Sequence, residues 1–372
     1  MQHLKVLQVF TILNRGGAET NLLNYYREID RGKFQFDFLV HRQEEGAYEA
    51  EITQLGGHIY RLPQVHPKKL RTYKKAVQQF FQEHSDYQII HGQCSELGVF
   101  IYEEAKKRKI PVIIAHAHNS KMDWDQKALF RILWKHTMRK YINAYFTCGY
   151  EAAVWLFGKK LAANSYQMNN AVNTDQFKFN SEIRTAKRLE LNADKTHNFI
   201  HIGRFNVQKN HRFLIKIFSE IVKLNPESHL FLVGEGELKK EVIAQVETLD
   251  IASKVTFMGL RSDVAEILQA MDVFLFPSLF EGLPVALVEA QTSGICCVIS
   301  TSIPKEAVLI PQNVATISLR ETPQFWAEKI LSSSATFTRK EVASQILEAG
   351  YDIRENALQL ETQYRNLFQK FS

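Results

Sequence analysis

Two carboxylates, two cations and a few short glycine runs are the residues of this chain whose types and spacing could do chemistry. Glu281 and Glu289 stand with seven residues between them. Pro284 suits the first turn of a helix and Gly294 a helix end. Glu281 then falls in the loop before that helix, and Glu289 about five residues inside it, roughly 7–8 Å further along. Carboxylates so spaced can reach different hydroxyls of one extended ligand. Gly282 and the first helical amides face the same way and could hold a phosphate. Spacing alone also fits two ordinary helix-region glutamates. Arg204 and Lys209 lie in GRFNVQKNH, directly after an apolar strand-like run. A fork donor and a point charge at a strand's carboxyl end could clamp a diphosphate without a metal. The plainer alternative is two exposed surface cations. Gly16 and Gly17 sit between another strand-like run and a helix. Paired glycines let backbone amides approach an anion, or simply make a tight turn.

Other motifs are weaker. The Gly16–Gly17 segment lacks the Lys-Ser/Thr ending of a P-loop. Gly234-Glu235-Gly236 has Lys239 where a dinucleotide fingerprint needs its third glycine, which argues against a dehydrogenase. Asp123-Trp124-Asp125 could ligate magnesium or manganese. It precedes a helical pattern starting at Lys127, however, where capping is the simpler role. With Arg204 and Lys209 supplying positive charge, no metal or other cofactor is required. Cys94, Cys148, Cys296 and Cys297 form no CxxC pair. They read as reduced, buried thiols rather than a zinc site or disulfide framework.

The elements that must position these residues alternate. In the first half, strand-like runs fall at 5–10, 36–40, 89–91, 112–115 and 144–148, with helical patterns at 20–29 and 73–83 between them. In the second half they fall at 199–202, 229–233, 255–257, 273–276 and 296–300. The intervening helix at 212–224 carries Phe213, Leu214, Ile217, Phe218, Ile221 and Val222 on one stripe. Such alternation predicts an α/β chain with parallel sheets covered on both faces. The pattern restarts after a polar stretch. This gives a first domain at 1–172, a linker at 173–197 and a second domain at 198–352, both doubly wound and Rossmann-like. A cleft is expected between them, with strand carboxyl ends facing it.

Length and composition agree. At 372 residues, two domains are expected. With 45% hydrophobic and 23% charged residues, a collagen, a coiled-coil rod or a largely disordered chain is excluded. No apolar run approaches the ~18–20 residues of a membrane span. No cleavable signal or Asn-x-Ser/Thr sequon is visible, so a cytoplasmic location is expected. The net charge of +6 is uneven: residues 1–170 hold 24 Lys/Arg against 16 Asp/Glu, and the rest has a net charge of −2. Basic clusters at Lys68, Lys69, Arg71, Lys74 and Lys75, at Lys106, Lys107, Arg108 and Lys109, and at Arg131, Lys135, Arg139 and Lys140 lie near Phe80, Phe81, Phe130, Trp134 and Tyr141. Such a mixture suits peripheral contact with the anionic inner membrane face, or a solvated helix surface. No nucleic-acid-binding signature appears.

The segment EGLPVALVEA, with its two glutamates, resembles the hallmark of the retaining family 4 glycosyltransferases, which have the GT-B fold. Matches continue in register through NRGGAET, FQFDFLV, AHAHNS, MNNAVNTDQF, HIGRFNVQKN, LVGEGEL, VTFMGLRSDV and DVFLFPSLFEGLPVALVEAQTSG. Within that family the sequence resembles bacterial exopolysaccharide and capsule enzymes. The resemblance implies that Arg204 and Lys209 neutralise the donor diphosphate, that Glu289 binds the ribose and that Glu281 contacts the transferred sugar. It puts Gly16 and Gly17 in a loop closing over the phosphates, and Gly234, Gly282 and Leu283 in the donor site. The Met258 backbone falls where the base is read. His118 matches the histidine beside the reacting sugar, with His116 as the alternative. The resemblance implies a hexosyltransferase moving sugar from a nucleotide sugar, a UDP-sugar in particular, to a lipid-linked glycan. A nucleotide-sugar epimerase or hydrolase of the same fold, or a non-catalytic scaffold, are the competing readings. Two departures stand out. Asn170-Ala171 replaces the usual Asn-Gly, and the match is weak after about Thr301. A final helix near 353–371 is expected to cross back onto the first domain.

Overall fold

The computed structural model describes residues 3–118 and 128–372. Asp123 and Asp125 lie outside the described residues. The chain divides into two compact units, one of residues 1–171 with 353–372 and one of residues 172–352.

Unit 1 holds a parallel sheet of seven strands: β1 Leu4–Val9, β2 Phe34–Val40, β3 Ile59–Arg61, β4 Ile89–Gly92, β5 Val112–Ala117, β6 Ala144–Thr147 and β7 Tyr166–Gln167. Their spatial order is β3-β2-β1-β4-β5-β6-β7. Alternate residues serve opposite faces: Leu7 and Val9 join one core, Leu4 and Val6 the other. This two-sided burial is why the strands read as continuous apolar runs. Three polar residues nevertheless lie fully buried in the central strands: Gln8, its register partner His91, and His116. The helix Ile353–Phe371 completes this unit. Ile353, Ala357, Leu360 and Tyr364 form a stripe of helical spacing that packs into the same core as Leu4 and Val6.

Unit 2 holds a six-stranded parallel sheet: β8 His197–Ile202, β9 Ser228–Val233, β10 Val255–Gly259, β11 Val273–Phe276, β12 Cys296–Ser300 and β13 Val314–Ile317. Their order is β10-β9-β8-β11-β12-β13. Cys296 and Cys297 point into opposite cores, which keeps them apart. All four cysteines are free thiols.

The stretch 173–197 is not a linker. It carries the helices Thr174–Phe177 and Ser181–Glu190 and belongs to unit 2. The polar residues that suggested a linker are structural. Asn173 and Asn180 cap the two helices. Arg184 and Arg188 pair with Asp272 at 2.5 and 3.1 Å, and the buried Lys187 pairs with Asp263 at 2.8 Å. Ala171 sits in ordinary backbone, outside the positive-φ residues, so this position needs no glycine.

Candidate active site

The loops after β8, β9 and β11 bring the second unit's charged residues together. Those after β8 and β9 are zipped by backbone hydrogen bonds: Gly203 N donates to Val233 O at 3.0 Å, Phe205 N to Glu235 O at 3.0 Å, and Leu238 N to Phe205 O at 3.0 Å. The zipper explains the glycines of LVGEGEL. Gly234 has φ +138°, and a Cβ there would lie 2.1 Å from Gly203 O. A Cβ on Gly236 would meet Phe205 O at 2.4 Å. The turn is thus built from close backbone approach, which only glycine permits.

Lys209 reaches from the β8 loop to the β11 loop. Its Nζ lies 2.7 Å from Glu281 Oε1 and 4.5 Å from the centroid of the Phe276 ring. Nε2 of Gln208 donates to the other carboxylate oxygen and to Phe280 O, both at 3.1 Å. Leu279 N returns a bond to Gln208 O at 2.8 Å. Glu281 is buried, Lys209 nearly so. The carboxylate is therefore held from both sides, and the lysine's charge is already balanced. Gln208 has no distinguishing mark in the sequence. Only the fold reveals its bridging role.

Arg204 differs: its side chain is 71% exposed and lies 3.3 Å from Glu237. Glu281 precedes the helix Val285–Thr292, whose N-cap is Pro284. The first helical bonds run from Leu287 N and Val288 N to Pro284 O at 3.1 and 3.3 Å, so the Val285 and Ala286 amides lie ahead of the helical ladder. Gly282 is half-buried and Leu283 buried beside it, and Glu289 is the fifth helical residue, half-buried. Met258 occupies a β-bulge: the β10–β9 register shifts between Phe257 and Gly259. A bulge residue on an edge strand has its backbone groups out of the ladder, a feature that sequence alone did not show.

In unit 1, Gly16 is the N-cap and Gly17 the first residue of the helix Gly17–Glu28. A Cβ on Gly16 would lie 2.3 Å from Glu19 Oε2, so the Glu19 carboxylate lies over this turn, while the Gly16 N–H donates to Asn14 O at 2.8 Å. An anion arriving there must displace the carboxylate. His116 and His118 are separated by burial. His116 is sealed inside the sheet, whereas His118 follows β5 and is half-buried. Their rings stack at 4.0 Å. Nε2 of His118 donates to Gln93 Oε1 at 2.8 Å. Burial lowers the His118 pKa to about 4, so its ring is neutral at ordinary pH.

The basic and aromatic clusters are rearranged by folding. Phe80, Phe81 and Trp134 lie in the core, where the helical stripe Tyr73, Val77, Phe80, Phe81 puts the first two. Arg131 pairs with the buried Glu96 at 2.6 Å, and Lys135 and Arg139 donate to the carbonyls of Trp155 and Leu156. On the helix Ala128–Met138, Phe130 and Leu133 are large apolar side chains left outside, 43% and 60% exposed. No helix among the described residues is long and apolar enough to cross a membrane. Among them, no group of three His, Cys, Asp or Glu could hold a metal ion.

Residues 196–334, which include the whole β8–β11 loop cluster, match the family model described as Glycosyl transferases group 1. Across 361 residues, the chain is 31% identical to the putative glycosyltransferase EpsF of Bacillus subtilis (strain 168), covering 95% of this chain and 94% of that protein. It belongs to the group 1 glycosyltransferases. Membership makes the chain a sugar-transferring enzyme, a hexosyltransferase. Among other relatives of this group 1 glycosyltransferase, the Staphylococcus aureus capsular polysaccharide biosynthesis glycosyltransferase CapH is 24% identical over 88% of this chain and 90% of its own. The Escherichia coli UDP-Gal:alpha-D-GlcNAc-diphosphoundecaprenol alpha-1,3-galactosyltransferase is 26% identical over 58% of each chain. The fold matches that of Anabaena Alr3699/HepE, crystallised with UDP and glucose. The TM-score is 0.82 at 16% identity, covering 98% of this chain and all of that one. Sucrose-phosphate synthase from Thermosynechococcus elongatus aligns at a TM-score of 0.77 and 15% identity, over 99% of this chain and all of its own. Two parallel-sheet Rossmann-like units in this arrangement of strands make the fold GT-B.

Proposed function

We propose that this glycosyltransferase moves a hexosyl group from a UDP-sugar to a lipid-linked glycan in bacterial exopolysaccharide or capsule assembly, with retention at the anomeric carbon. The observation that carries the reading is the Lys209–Glu281 pair, held by Gln208 beside the glycine-built β8–β9 turn and the amides of the Val285–Thr292 helix. Within the family, a cation and a carboxylate at these positions serve the donor diphosphate and the transferred sugar. The Escherichia coli relative named for a diphosphoundecaprenol-linked substrate supports a lipid-linked acceptor.

In this reading Lys209 and Arg204 take the diphosphate, with the amides of the Val285–Thr292 helix. Glu289 holds the ribose, and the backbone at Met258, where the β10–β9 register shifts, meets the base. Glu281 contacts the transferred hexose, and His118 keeps the sugar-binding role that the family resemblance gives it. The C1–O bond to the β-phosphate breaks while the acceptor oxygen bonds C1 on the same face. The acceptor proton passes to the departing phosphate oxygen. Charge grows on that phosphate as the bond breaks, so Lys209 and Arg204 act mainly in the transition state. No metal enters this scheme. Phe130 and Leu133, with the basic first unit around them, would rest against the anionic inner membrane face where a lipid-linked acceptor resides.

The test is a titration of the chain with UDP, GDP, ADP and their sugar derivatives, followed by thermal stability. A ligand at 100 times its Kd adds about 2.7 kcal/mol. Selective stabilisation by UDP and one UDP-sugar is expected, followed by transfer to a polyprenyl-diphosphate glycan. Loss of the UDP-sugar without any acceptor would favour an epimerase or hydrolase, and indifference to every nucleotide would favour a scaffold.

A further inference from the structure

Behind His118 lies a chain of buried hydrogen bonds that the reaction scheme does not use. Nε2 of His118 carries a proton, because its partner is the carbonyl oxygen Oε1 of Gln93 at 2.8 Å. Nε2 of Gln93 donates to Oε1 of Gln8 at 3.0 Å, and Nε2 of Gln8 donates to Tyr364 Oη at 3.2 Å. Tyr364 spends its own proton on His91 Nδ1, 2.7 Å away. His91 Nε2 then donates to His116 Nδ1 at 3.2 Å. His116 stacks on His118 and closes the circuit. Gln8, Gln93, His91, His116 and Tyr364 are all buried. An amide has a donor end and an acceptor end, so two glutamines in series give the chain one direction.

That direction has a chemical consequence. With Nε2–H committed to Gln93, the lone pair of a neutral His118 sits on Nδ1. Among the described residues this nitrogen has no hydrogen-bond partner, and the His118 side chain is only half-buried. A bare nitrogen accepts a hydroxyl proton and repels a phosphate oxygen. We propose that Gln93, Gln8 and Tyr364 are positioning residues that hold His118 in its Nε2–H form, leaving Nδ1 to accept a hydrogen bond from a hydroxyl of the sugar substrate. The sugar contact rests on the function proposed above, while the tautomer rests on the circuit alone. Burial, which keeps His91 and His116 as well as His118 from taking a second proton, preserves the direction.

Ring-nitrogen NMR of the full chain with 15N-labelled histidine decides it, with the His118 signals assigned by their loss in His118→Asn. A protonated Nε2 and a bare Nδ1 are expected at neutral pH. Gln93→Met removes the acceptor and should populate both tautomers, while Gln93→Glu keeps an acceptor and should restore one. A native His118 protonated on Nδ1, or a tautomer unmoved by Gln93→Met, overturns the proposal. Should Gln93→Met not fold, the native spectrum alone still distinguishes the two tautomers. With the sugar donor in hand, Gln93→Met should lower kcat roughly 10–100-fold, by analogy with the loss when the partner that orients a metal-binding histidine is removed. Gln93→Glu should recover part of the loss. If the native chain turns over no nucleotide sugar, the function reading falls and the NMR result still judges the relay.

Discussion

Lys209 Nζ lies 2.7 Å from Glu281 Oε1, and the two residues neutralise one another. A diphosphate that takes the lysine must compete with this carboxylate. Glu281→Gln should therefore bind UDP more tightly than the native chain, because the lysine's charge is released, and yet turn over sugar more slowly. Lys209→Ala should lose about 100–1,000-fold in turnover. It should also lose about 1–3 kcal/mol of stability from the stranded carboxylate. Calorimetric titration beside steady-state kinetics measures both. Equal weakening of UDP binding in the two variants would contradict the competition.

Gly234→Ala should be damaging without touching any ligand. Its Cβ would fall 2.1 Å from Gly203 O, in a backbone conformation that side chains avoid. Strain of this kind costs about 1–3 kcal/mol, and relieving it opens the zipper that presents Arg204 and Lys209. Chemical denaturation should show lowered stability, with UDP affinity falling as well. Gly17→Ala, where a Cβ meets nothing within 4 Å, is the matched control and should leave stability nearly unchanged.

Stability should decline on mild acidification. Burial lowers the pKa of His91 to about 3 and of His118 to about 4, against 6.5 for a free histidine. The unfolded chain then binds more protons than the folded one below about pH 6.5. Stability is fully present above that pH and is lost as pH falls towards the folded values. Each such histidine contributes a slope of about 1.4 kcal/mol per pH unit within the window. Thermal midpoints flat from pH 8 to 7 and falling from pH 6.5 to 5 are expected. A midpoint level down to pH 5 would mean that these rings do take up protons in the fold.

Phe130→Ser with Leu133→Ser should weaken sedimentation with anionic vesicles several-fold and leave the UDP-induced thermal shift unchanged. Exposed apolar side chains are what a bilayer boundary can bury, and folding leaves both of these outside. Native sedimentation that ignores both lipid charge and salt would count against the surface contact.

Much of this molecule was legible before folding, and the reasons are specific. Strands β1, β2, β4–β6, β8, β9, β11 and β12 are legible because they are buried on both faces and so are largely apolar, and the partly exposed edge strand β10 is legible from Val255 and Phe257. The short outer strands β3, β7 and β13 were missed: Ile59–Arg61, Tyr166–Gln167 and Val314–Ile317 are partly exposed and offer few residues to a pattern. The polar run at 173–197 misled because capping asparagines and paired arginines have the composition of a linker. Trp134 and Phe80 misled in the opposite sense, since proximity to lysines in sequence says nothing of which helix face is buried. Partners remote in the chain, such as Gln208 with Glu281 or Gln93 with His118, left no local trace.

The helix Ile353–Phe371 has a consequence for how the molecule is made. It belongs to the first unit, yet the whole second unit separates it from the strands it covers. The bond from Tyr364 to His91 spans 273 positions. A chain emerging amino end first can finish unit 2, a continuous segment, while unit 1 still lacks Ile353, Ala357, Leu360 and Tyr364 from its core. Long-range closure of this sort is slow. Maturation should therefore run inside out, with the later-made unit settling first and the histidine circuit assembled only at the final docking step.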